Sequence, residues 1–288
     1  MRVLVTGTAG LVGRYTAREL VDHGHTVRAI DMRAPGAEWK RDEIERVYAD
    51  IADPLQMLTH LEGCDAVIHC AAYANPHNVT SSELLRVNVI GTNNILDAAV
   101  AQGIQRVVIT SSVGALGHSF PTHPCLPDYL PVDAAHPRRP QDVYGLSKLM
   151  NEESAATASR MHGITTVVMR PPFVADLERM KREGWLKRRL DWNAERRDLS
   201  LWAYVDVRDL AVAMRLAVEV ELAGYNVFYP HADDIMARES AVELCEKFLP
   251  DLVEDAKKLT GYGFYDLKPI YDKLGWTAKR LMRDVPQE

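Results

Sequence analysis

Tyr144 and Lys148 are the residues of this chain whose types and spacing best suit proton transfer. A separation of four residues places the phenol and the ammonium on one face of a helix, one turn apart. An ammonium beside a phenol favours the phenolate, so we expect Lys148 to lower the pKa of Tyr144 from about 10 toward neutral pH. Such a tyrosine can take a proton from a hydroxyl, or return one, while a hydride moves on the adjacent carbon.

A glycine-rich turn at the amino terminus adds a second half to this candidate site. Residues 1–6 predict a buried parallel strand, and Tyr15–His23 predicts the helix that follows. Glycines between them permit a tight turn and bring a pyrophosphate close to the free N–H groups of the helix N-terminus. The cofactor-binding residues predicted here are Gly7, Gly10, Leu11, Val12 and Gly13. The simpler alternative is a glycine turn that caps an ordinary helix.

Asp31 and Arg33 bear on the choice of dinucleotide. A second predicted strand, residues 25–30, ends at Asp31, whose carboxylate can accept hydrogen bonds from the adenosine ribose hydroxyls. The same carboxylate would repel a 2′-phosphate, which favours NAD. Arg33 can accommodate that phosphate, so NADP stays open as a second possibility.

Composition excludes several classes of function. A chain of 288 residues fits one large α/β domain with an appended lobe, and its net charge of -6 disfavours nucleic-acid binding. We expect no membrane partner and no signal peptide, because no apolar run approaches membrane-span length and the first strand starts at residue 2. The four cysteines form no C-x-x-C pair, which is typical of reduced thiols in a cytoplasmic protein.

Strand-like and helix-like segments alternate over the first 170 residues, which predicts an α/β fold with a doubly wound parallel sheet. Further strands are predicted at residues 46–49, 66–69, 106–110, 165–170 and 225–229. Helices are predicted at residues 82–102, 143–162 and 205–221, and Pro171-Pro172 is expected to end the regular region. We assign 1–172 and about 202–235 to the dinucleotide-binding domain. Residues 173–201 and about 236–288 are assigned to a small C-terminal substrate lobe.

Several motifs occur in one order along the chain, and together they resemble a known family. They are Thr6-Gly7-x-x-Gly10-x-x-Gly13, Asp50-Ile51, His69-Cys70-Ala71-Ala72, Asn88-Val89-Ile90-Gly91-Thr92, Thr110-Ser111-Ser112, Tyr144-x-x-x-Lys148, Arg170-Pro171-Pro172 and Tyr204-Val205-Asp206. This order resembles the NAD-dependent epimerase/dehydratase branch of the extended short-chain dehydrogenase/reductase superfamily, over about the first 235 residues. The resemblance implies a Rossmann-type sheet and a homodimer that pairs helices 82–102 and 143–162.

The resemblance also implies roles for individual residues. Ser112 would orient the substrate beside Tyr144, and Lys148 would bind the nicotinamide ribose as well as tune the phenol. Asp50 and Ile51 would lie beside the adenine. The remaining predicted cofactor contacts are Ala71, Ala72, Asn88, Ser111, Tyr144, Lys148 and Pro171.

Departures from the family pattern leave the substrate open. The family's dehydratases carry an Asp-Glu pair where this chain has Val113-Gly114, and the segment common in nucleotide-sugar enzymes is replaced by residues 172–176. We therefore predict an epimerase-like oxidoreductase acting on a sugar or nucleotide-sugar hydroxyl. A uronate-dehydrogenase-like oxidation of a free sugar acid is the alternative, which the short lobe favours. A redox-sensing binding protein is a further alternative, although such relatives typically lose the tyrosine.

Two other groups of residues could bind a ligand. His118, His123, Cys125 and His136 match no metal-site spacing, so no metal is predicted, and their loop is expected to line the pocket. Eight Lys or Arg lie between Arg179 and Arg197. They suit either a phosphate or carboxylate site or a solvated helix face, and the second interpretation is preferred. We expect a compact site that accepts small carbohydrates or their acids at least as readily as UDP-sugars.

Overall fold

The computed structural model describes residues 1–33, 43–123, 125–198, 200–261 and 263–284. The strands in these ranges are β1 (Arg2–Thr6), β2 (Thr26–Asp31), β3 (Ile44–Tyr48), β4 (Ala66–His69), β5 (Arg106–Thr110), β6 (Thr165–Met169), β7 (Phe173–Ala175), β8 (Tyr204–Asp206) and β9 (Tyr225–Phe228). Seven of them form a parallel sheet in the order β3-β2-β1-β4-β5-β6-β9. The other two, β7 and β8, pair with each other in parallel.

Helices cover both faces of the large sheet. They are α1 (Leu11–Asp22), α2 (Pro54–Leu61), α3 (Ser81–Leu85), α4 (Gly91–Ala101), α5 (Val143–His162), α6 (Leu177–Arg182), α7 (Trp185–Glu195), α8 (Val207–Glu219), α9 (Ala241–Phe248), α10 (Val253–Ala256) and α11 (Lys268–Leu274). A π-helical turn, Arg86–Ile90, joins α3 to α4, so the helix predicted at residues 82–102 is one continuous rod.

Each strand of the sheet contributes to two cores, because successive side chains point to opposite faces. Val3 and Val5 of β1 pack in the core shared with α1, α8 and α11. Leu4, between them, packs in the core shared with α2, α4 and α5. Burial on both faces explains the continuous apolar strands, and the doubly wound parallel sheet confirms the predicted fold class.

The order of the strands places a binding crevice. β1 pairs with β2 on one side and with β4 on the other, and the chain winds outward in opposite directions from these two pairs. In parallel sheets of this kind, ligands bind beyond the carboxyl ends of the strands where the winding direction changes. The turn after β1 and the residues that follow β4 and β5 therefore lie at the expected crevice.

Helix α5, which carries the candidate tyrosine and lysine, begins and ends where the sequence predicts. Asp142 caps its N-terminus by accepting a hydrogen bond from the Gly145 N–H at 2.9 Å. Gly163 ends the helix in the left-handed region, with φ at +70°. Local capping signals were sufficient to locate both ends.

Three predicted boundaries are wrong. The helix predicted to start at Val205 begins at Val207, since Val205 pairs with Val174 in the small β7–β8 sheet. Regular structure also continues past Pro171-Pro172 into β7. Strands of three residues are too short for a periodic pattern, and their pairing is a tertiary contact. The first helix also begins earlier than predicted, at Leu11, because Gly10 serves as its N-cap.

The region beyond β6 packs partly on the loop that follows β5. Val132 donates its backbone N–H to the Phe264 carbonyl at 2.8 Å, and both side chains join a core around Trp202 and Leu244. The division into two domains, with the boundaries given above, stays a prediction. None of the helices in the described ranges is long and apolar enough to cross a membrane.

Candidate active site

Helix α5 and the end of β5 bring the three predicted catalytic residues together. Tyr144 and Lys148 lie one turn apart and are 7% and 4% exposed. Ser112 follows β5 and accepts a hydrogen bond from the Gly114 N–H at 3.0 Å. A Cβ atom on Gly114 would lie 3.1 Å from the Tyr144 ring, so glycine lets this turn approach the phenol closely. Ser112 also hydrogen bonds to the Tyr144 hydroxyl.

The expectation that Lys148 lowers the pKa of Tyr144 is wrong in this structure. Burial raises the pKa of Tyr144 to about 12; the hydrogen bond from Ser112 opposes this shift, and the charge of Asp142 adds to it. The Lys148 ammonium donates instead to the Thr110 carbonyl at 2.8 Å. Its nitrogen lies 5.7 Å from the centre of the Tyr144 ring. Loss of hydration is therefore the largest influence on this pKa.

Burial acts on Lys148 in the opposite direction. It lowers the pKa of this lysine from 10.5 to about 8, while the charges of Cys70 and Glu152 raise it. The charged form is disfavoured in an apolar setting for an amine and for a phenol alike. Burial therefore favours the neutral phenol and the neutral amine, whereas the spacing alone suggests a phenolate beside an ammonium.

The turn between β1 and α1 fits a dinucleotide pyrophosphate. Gly7 has φ at +72°, and a Cβ atom there would lie 2.7 Å from the Ala71 nitrogen. A Cβ atom on Gly13 would lie 2.4 Å from the Gly7 oxygen. No side chain caps the N-terminus of α1, so its first N–H groups remain available for an anion.

Asp31 lies at the end of β2 with both carboxylate oxygens directed by backbone groups. One oxygen accepts from the Ala9 N–H at 2.8 Å, and the other accepts from the Arg33 N–H at 2.9 Å. The Arg33 guanidinium is 3.7 Å from the carboxylate, and its side chain is 72% exposed. The carboxylate is thus fixed at the site expected for a ribose, while the arginine extends into solvent.

Asp50 and Ile51 lie on the side of the crevice that the π-helical turn approaches. Asp50 accepts a hydrogen bond from Arg86 at 3.0 Å. Ile51 packs so closely on Gly91 that a Cβ atom there would be 2.6 Å from its Cδ1 atom. Glycine at the start of α4 therefore lets Ile51 come close to the helix.

Most of the predicted cofactor contacts line one cavity of about 1260 Å³. These are Gly7, Gly10, Leu11, Val12, Gly13, Asp31, Arg33, Asp50, Ile51, Ala71, Ala72, Ser111, Tyr144, Lys148 and Pro171, and Ser112 lies with them. Asn88 does not line it. This asparagine is fully buried, bonds both backbone groups of Tyr73 and donates to the Ser147 hydroxyl. Its predicted contact with the cofactor is untested, and its visible role is to hold Tyr73, which does line the cavity.

A buried ionic network next to the predicted catalytic serine had no signal in the sequence. Glu152, two turns beyond Tyr144 on the same helix face, is fully buried and pairs with Arg170 at 2.7 Å. It also accepts a hydrogen bond from the Ser111 hydroxyl at 2.5 Å. Arg170 in turn donates to the Tyr229 hydroxyl at 2.8 Å. One helix thus fastens the ends of β5 and β6.

Sequence reasoning also missed several residues of the cavity wall. Glu83 and Arg86 line one side, and Phe120 packs edge-on to the Tyr144 ring with centres 5.8 Å apart. Part of the basic stretch lines the cavity as well: the arginines at positions 189, 196 and 197, with Trp192. His118 lines it as expected. Within the described residues, no group of three or more His, Cys, Asp or Glu side chains is placed to hold a metal ion.

The chain matches a family model described as the NAD dependent epimerase/dehydratase family over residues 3–227. It therefore belongs to that family, which consists of NAD-dependent oxidoreductases and epimerases of the extended short-chain dehydrogenase type. The predicted family, the predicted class of enzyme and NAD as the family's cofactor are confirmed.

Relatives within the family differ in their substrates. The chain is 34% identical over 172 residues to a putative UDP-glucose 4-epimerase of Methanocaldococcus jannaschii, covering 58% of this chain and 54% of that protein. It is 28% identical over 264 residues to cinnamoyl-CoA reductase 1 of Petunia hybrida, covering 86% and 78%. It is 31% identical over 169 residues to a uronate dehydrogenase of Pseudomonas putida, covering 59% of each. The match thus spans little more than half the length of the epimerase and of the dehydrogenase.

A solved structure agrees over nearly the whole chain. A short-chain dehydrogenase/reductase superfamily protein from Agrobacterium tumefaciens, with bound NAD, superposes with a TM-score of 0.72 at 25% identity. The superposition covers 98% of this chain and 94% of that one. The resemblance in fold therefore includes the region after β6 as well.

Proposed function

We propose that this chain transfers a hydride at a hydroxyl-bearing carbon of a sugar or nucleotide-linked sugar, in the manner of an epimerase. The observation that carries the proposal is that Tyr144, Ser112 and Lys148 share one cavity with the glycine turn and Asp31. NAD, when bound, supplies the hydride acceptor and donor. The glycine turn and the N-terminus of α1 would hold its pyrophosphate, and Asp31 its ribose.

Tyr144 is the group that exchanges a proton with the substrate oxygen. Because its pKa is raised to about 12, the phenol is protonated at neutral pH and is ready to give a proton to a carbonyl oxygen. In the direction of oxidation the phenol must first ionise, so this direction is expected to speed up as pH rises. Ser112, hydrogen bonded to the phenol, orients the same oxygen.

The size of the cavity supports binding of a second molecule beside a dinucleotide. At about 1260 Å³ it exceeds the range of roughly 300–1,000 Å³ that is usual for one drug-sized ligand. Phe173, Trp192 and Ser200, which come after β6 in the chain, also line the cavity. A sugar ring placed there would lie within reach of the lobe residues.

Replacing Tyr144 by phenylalanine tests the proposal. Tyr144→Phe keeps the ring packing and removes the oxygen, so turnover should fall about 10²–10⁴-fold while the Kd for NAD stays unchanged. Tyr225→Phe, a tyrosine outside the cavity lining, is the control. Retention of half the rate by Tyr144→Phe would show that another group moves the proton. An intact protein that binds NAD and turns over no carbohydrate would instead be a sensor.

Oxidation of a free sugar acid is the second candidate function, because arginine side chains face the cavity where a carboxylate could bind. The product distinguishes the two reactions. An epimerase interconverts UDP-glucose and UDP-galactose with no net NADH, whereas a dehydrogenase releases one NADH for each hexuronate oxidised. Absorbance at the NADH band together with chromatography of the sugars decides between them.

We further propose a homodimer in the cytoplasm. Three apolar side chains on the adjoining faces of the π-helical turn and α5 support the dimer: Ile90, Leu146 and Met150 are 51%, 42% and 40% exposed. All four cysteines are unpaired, which suits a reducing compartment. Sedimentation of the wild type and of Met150→Lys tests the dimer, which the charged variant should weaken.

A further inference from the structure

An arginine that belongs to none of the family motifs lies in the cavity wall. Arg86 begins the π-helical turn between α3 and α4, and it lines the cavity together with Glu83, three residues earlier. The nearest family motif begins at Asn88, so the resemblance assigns neither residue a role. The side chains of Arg86 and Glu83 are 42% and 39% exposed, so a ligand in the cavity can reach both.

Two carboxylates hold the Arg86 guanidinium in one orientation. Glu83 accepts hydrogen bonds from Nε at 2.8 Å and from Nη2 at 2.9 Å, and Asp50 accepts one from Nη1 at 3.0 Å. Both acids are themselves fixed. The Glu83 N–H donates to the Thr80 hydroxyl at 3.2 Å, and Asp50 accepts from the Ala52 N–H at 2.9 Å. Because all three guanidinium nitrogens donate within the plane of the group, that plane is fixed and its face is left for a ligand.

The pairing of β2 with β3 places this arginine beside the expected ribose position. Tyr48 of β3 is the register partner of Asp31, and the Ala49 N–H donates to the Asp31 carbonyl at 3.4 Å. The next residue along the chain is Asp50, which bonds Arg86. The base of a dinucleotide is bonded directly to its ribose. A base whose ribose is held by Asp31 therefore lies against the adjoining wall, which includes Arg86.

The charges around Arg86 favour a neutral base over a phosphate as its ligand. Arg86 carries one positive charge and its two partners, Glu83 and Asp50, carry one negative charge each, so the three side chains together are negative. An anion would be repelled by the two acids, whereas a neutral heterocycle would not. The residues that follow Asp31, Asp50 and Arg86 in the chain also line the cavity, and all three are apolar: Met32, Ile51 and Val87.

We propose that Arg86 stacks on the purine base of the dinucleotide cofactor and that Glu83 positions it by holding the guanidinium plane. A fixed planar cation beside apolar side chains suits the face of an aromatic heterocycle. Stacking on a face does not require particular groups at the edge of the base, and a purine with two fused rings presents a larger face than a pyrimidine. The inference rests on the proposed position of the ribose at Asp31 and is independent of the carbohydrate that reacts.

Dinucleotides that differ only in the base test the stacking contact. Calorimetry would compare NAD with its hypoxanthine analogue, a purine dinucleotide that lacks the amino group, and with its cytosine analogue, which has a single ring. Arg86→Lys keeps the positive charge and removes the planar group. It should raise the Kd of both purine dinucleotides by about 3- to 10-fold and that of the cytosine dinucleotide by less. Arg46→Lys, the same change at an exposed arginine of β3 outside the cavity lining, is the matched control.

Glu83→Gln is a second variant, and its effect has opposite signs for stacking and for simple attraction of phosphates. The change removes a negative charge and one of the two oxygens that hold the guanidinium. A loosened plane predicts that both purine dinucleotides bind about 2- to 3-fold more weakly. Attraction of phosphates predicts tighter binding of all three dinucleotides, because an acid is lost. The ion pairs of Arg86 are partly exposed, so both variants should fold normally, which thermal unfolding checks.

Three results would overturn the stacking contact. They are unchanged Kd values in Arg86→Lys, an equal loss for all three dinucleotides, and tighter binding by Glu83→Gln. A loss for NAD without a loss for the hypoxanthine dinucleotide would also overturn it, because Arg86 would then act only through Asp50 on the amino group. Turnover of a carbohydrate by the wild type in any of these cases would leave the proposed function standing. Purine-selective loss in a protein that transfers no hydride would remove the function and keep the stacking contact.

Discussion

At the scale of single residues, the environment of Lys148 is the feature that spacing did not reveal. Its ammonium donates to the Thr110 carbonyl and lies beside Cys70 and the buried Glu152. The pKa of about 8 places the loss of its proton just above neutral pH. Lys148 therefore holds the end of β5 in place as well as carrying charge into the cavity.

Lys148→Met should impair both catalysis and cofactor binding. The methionine fills a similar volume but leaves the Thr110 carbonyl without its donor and removes the positive charge from the cavity. We expect turnover to fall by about 10²-fold or more and the Kd for NAD to rise. Stopped-flow kinetics and calorimetry measure the two effects separately. Lys187→Met, in an exposed position, is the control, and normal NAD affinity in Lys148→Met would refute a role at the ribose.

Asp31→Ala should narrow the preference for NAD over NADP. The carboxylate is 11% exposed, is fixed by two backbone N–H groups and would face a 2′-phosphate carrying close to two negative charges. Removing it should weaken NAD binding more than it strengthens NADP binding. Titration of both cofactors by calorimetry gives the ratio. Tighter binding of NADP by the wild type would contradict the assignment of Asp31 as the residue that selects NAD. It would instead favour Arg33 as a residue that binds the 2′-phosphate.

At the scale of elements, α5 acts as a clamp across the carboxyl ends of β5 and β6. Glu152 bonds Ser111 after β5 and Arg170 after β6, and the residue that follows Ser111 is Ser112, the proposed catalytic serine. The same helix carries Tyr144 two turns earlier. Because one rigid helix holds both groups, the distance between phenol and serine depends on the buried carboxylate.

Glu152→Gln should be strongly destabilising, and its neighbour supplies the control. Loss of one partner leaves Arg170 charged and buried, which typically costs about 3–5 kcal/mol. Glu153→Gln changes an acid that is 54% exposed and bonded to Arg138, and it should cost under about 1 kcal/mol. Chemical denaturation measures both values. Equal stability of the two variants would show that the buried ion pair does not contribute to the free energy of unfolding.

At the scale of the whole molecule, three buried histidines contribute to the response to acid. Burial lowers the pKa values of His69, His118 and His231 from 6.5 to about 3. Between those pH values the unfolded chain binds protons that the folded chain does not. Stability therefore rises with pH across this window and is lost as pH falls below 6.5.

We predict that the free energy of unfolding falls by up to about 4 kcal/mol per pH unit below pH 6.5, about 1.4 from each histidine. Thermal or urea denaturation between pH 7.5 and 5 gives the slope. His231→Gln should flatten it, whereas the exposed His123→Gln should leave it unchanged. A slope near zero in the wild type would mean that the three rings are already protonated in the folded state or exposed.

Local patterns were sufficient for the sheet, the glycine turn and α5. The apolar runs of β1 and β5, the caps at Asp142 and Gly163, and the spacing from Tyr144 to Lys148 are properties of neighbouring residues. Backbone sterics and hydrogen bonding act over a few positions, so the sequence by itself determined the fold class. It also predicted nearly all the cofactor contacts that the structure places in one cavity.

Only the tertiary structure decided the state of the site and the shape of its far end. The pKa of Tyr144 depends on how much water the surrounding elements exclude, which the spacing to Lys148 does not reveal. Arg189 and Lys187 are two positions apart, yet one faces the cavity and the other solvent, because the packing of α7 selects the face. Desolvation and helix orientation depend on contacts with residues distant in sequence, so no local pattern predicts them.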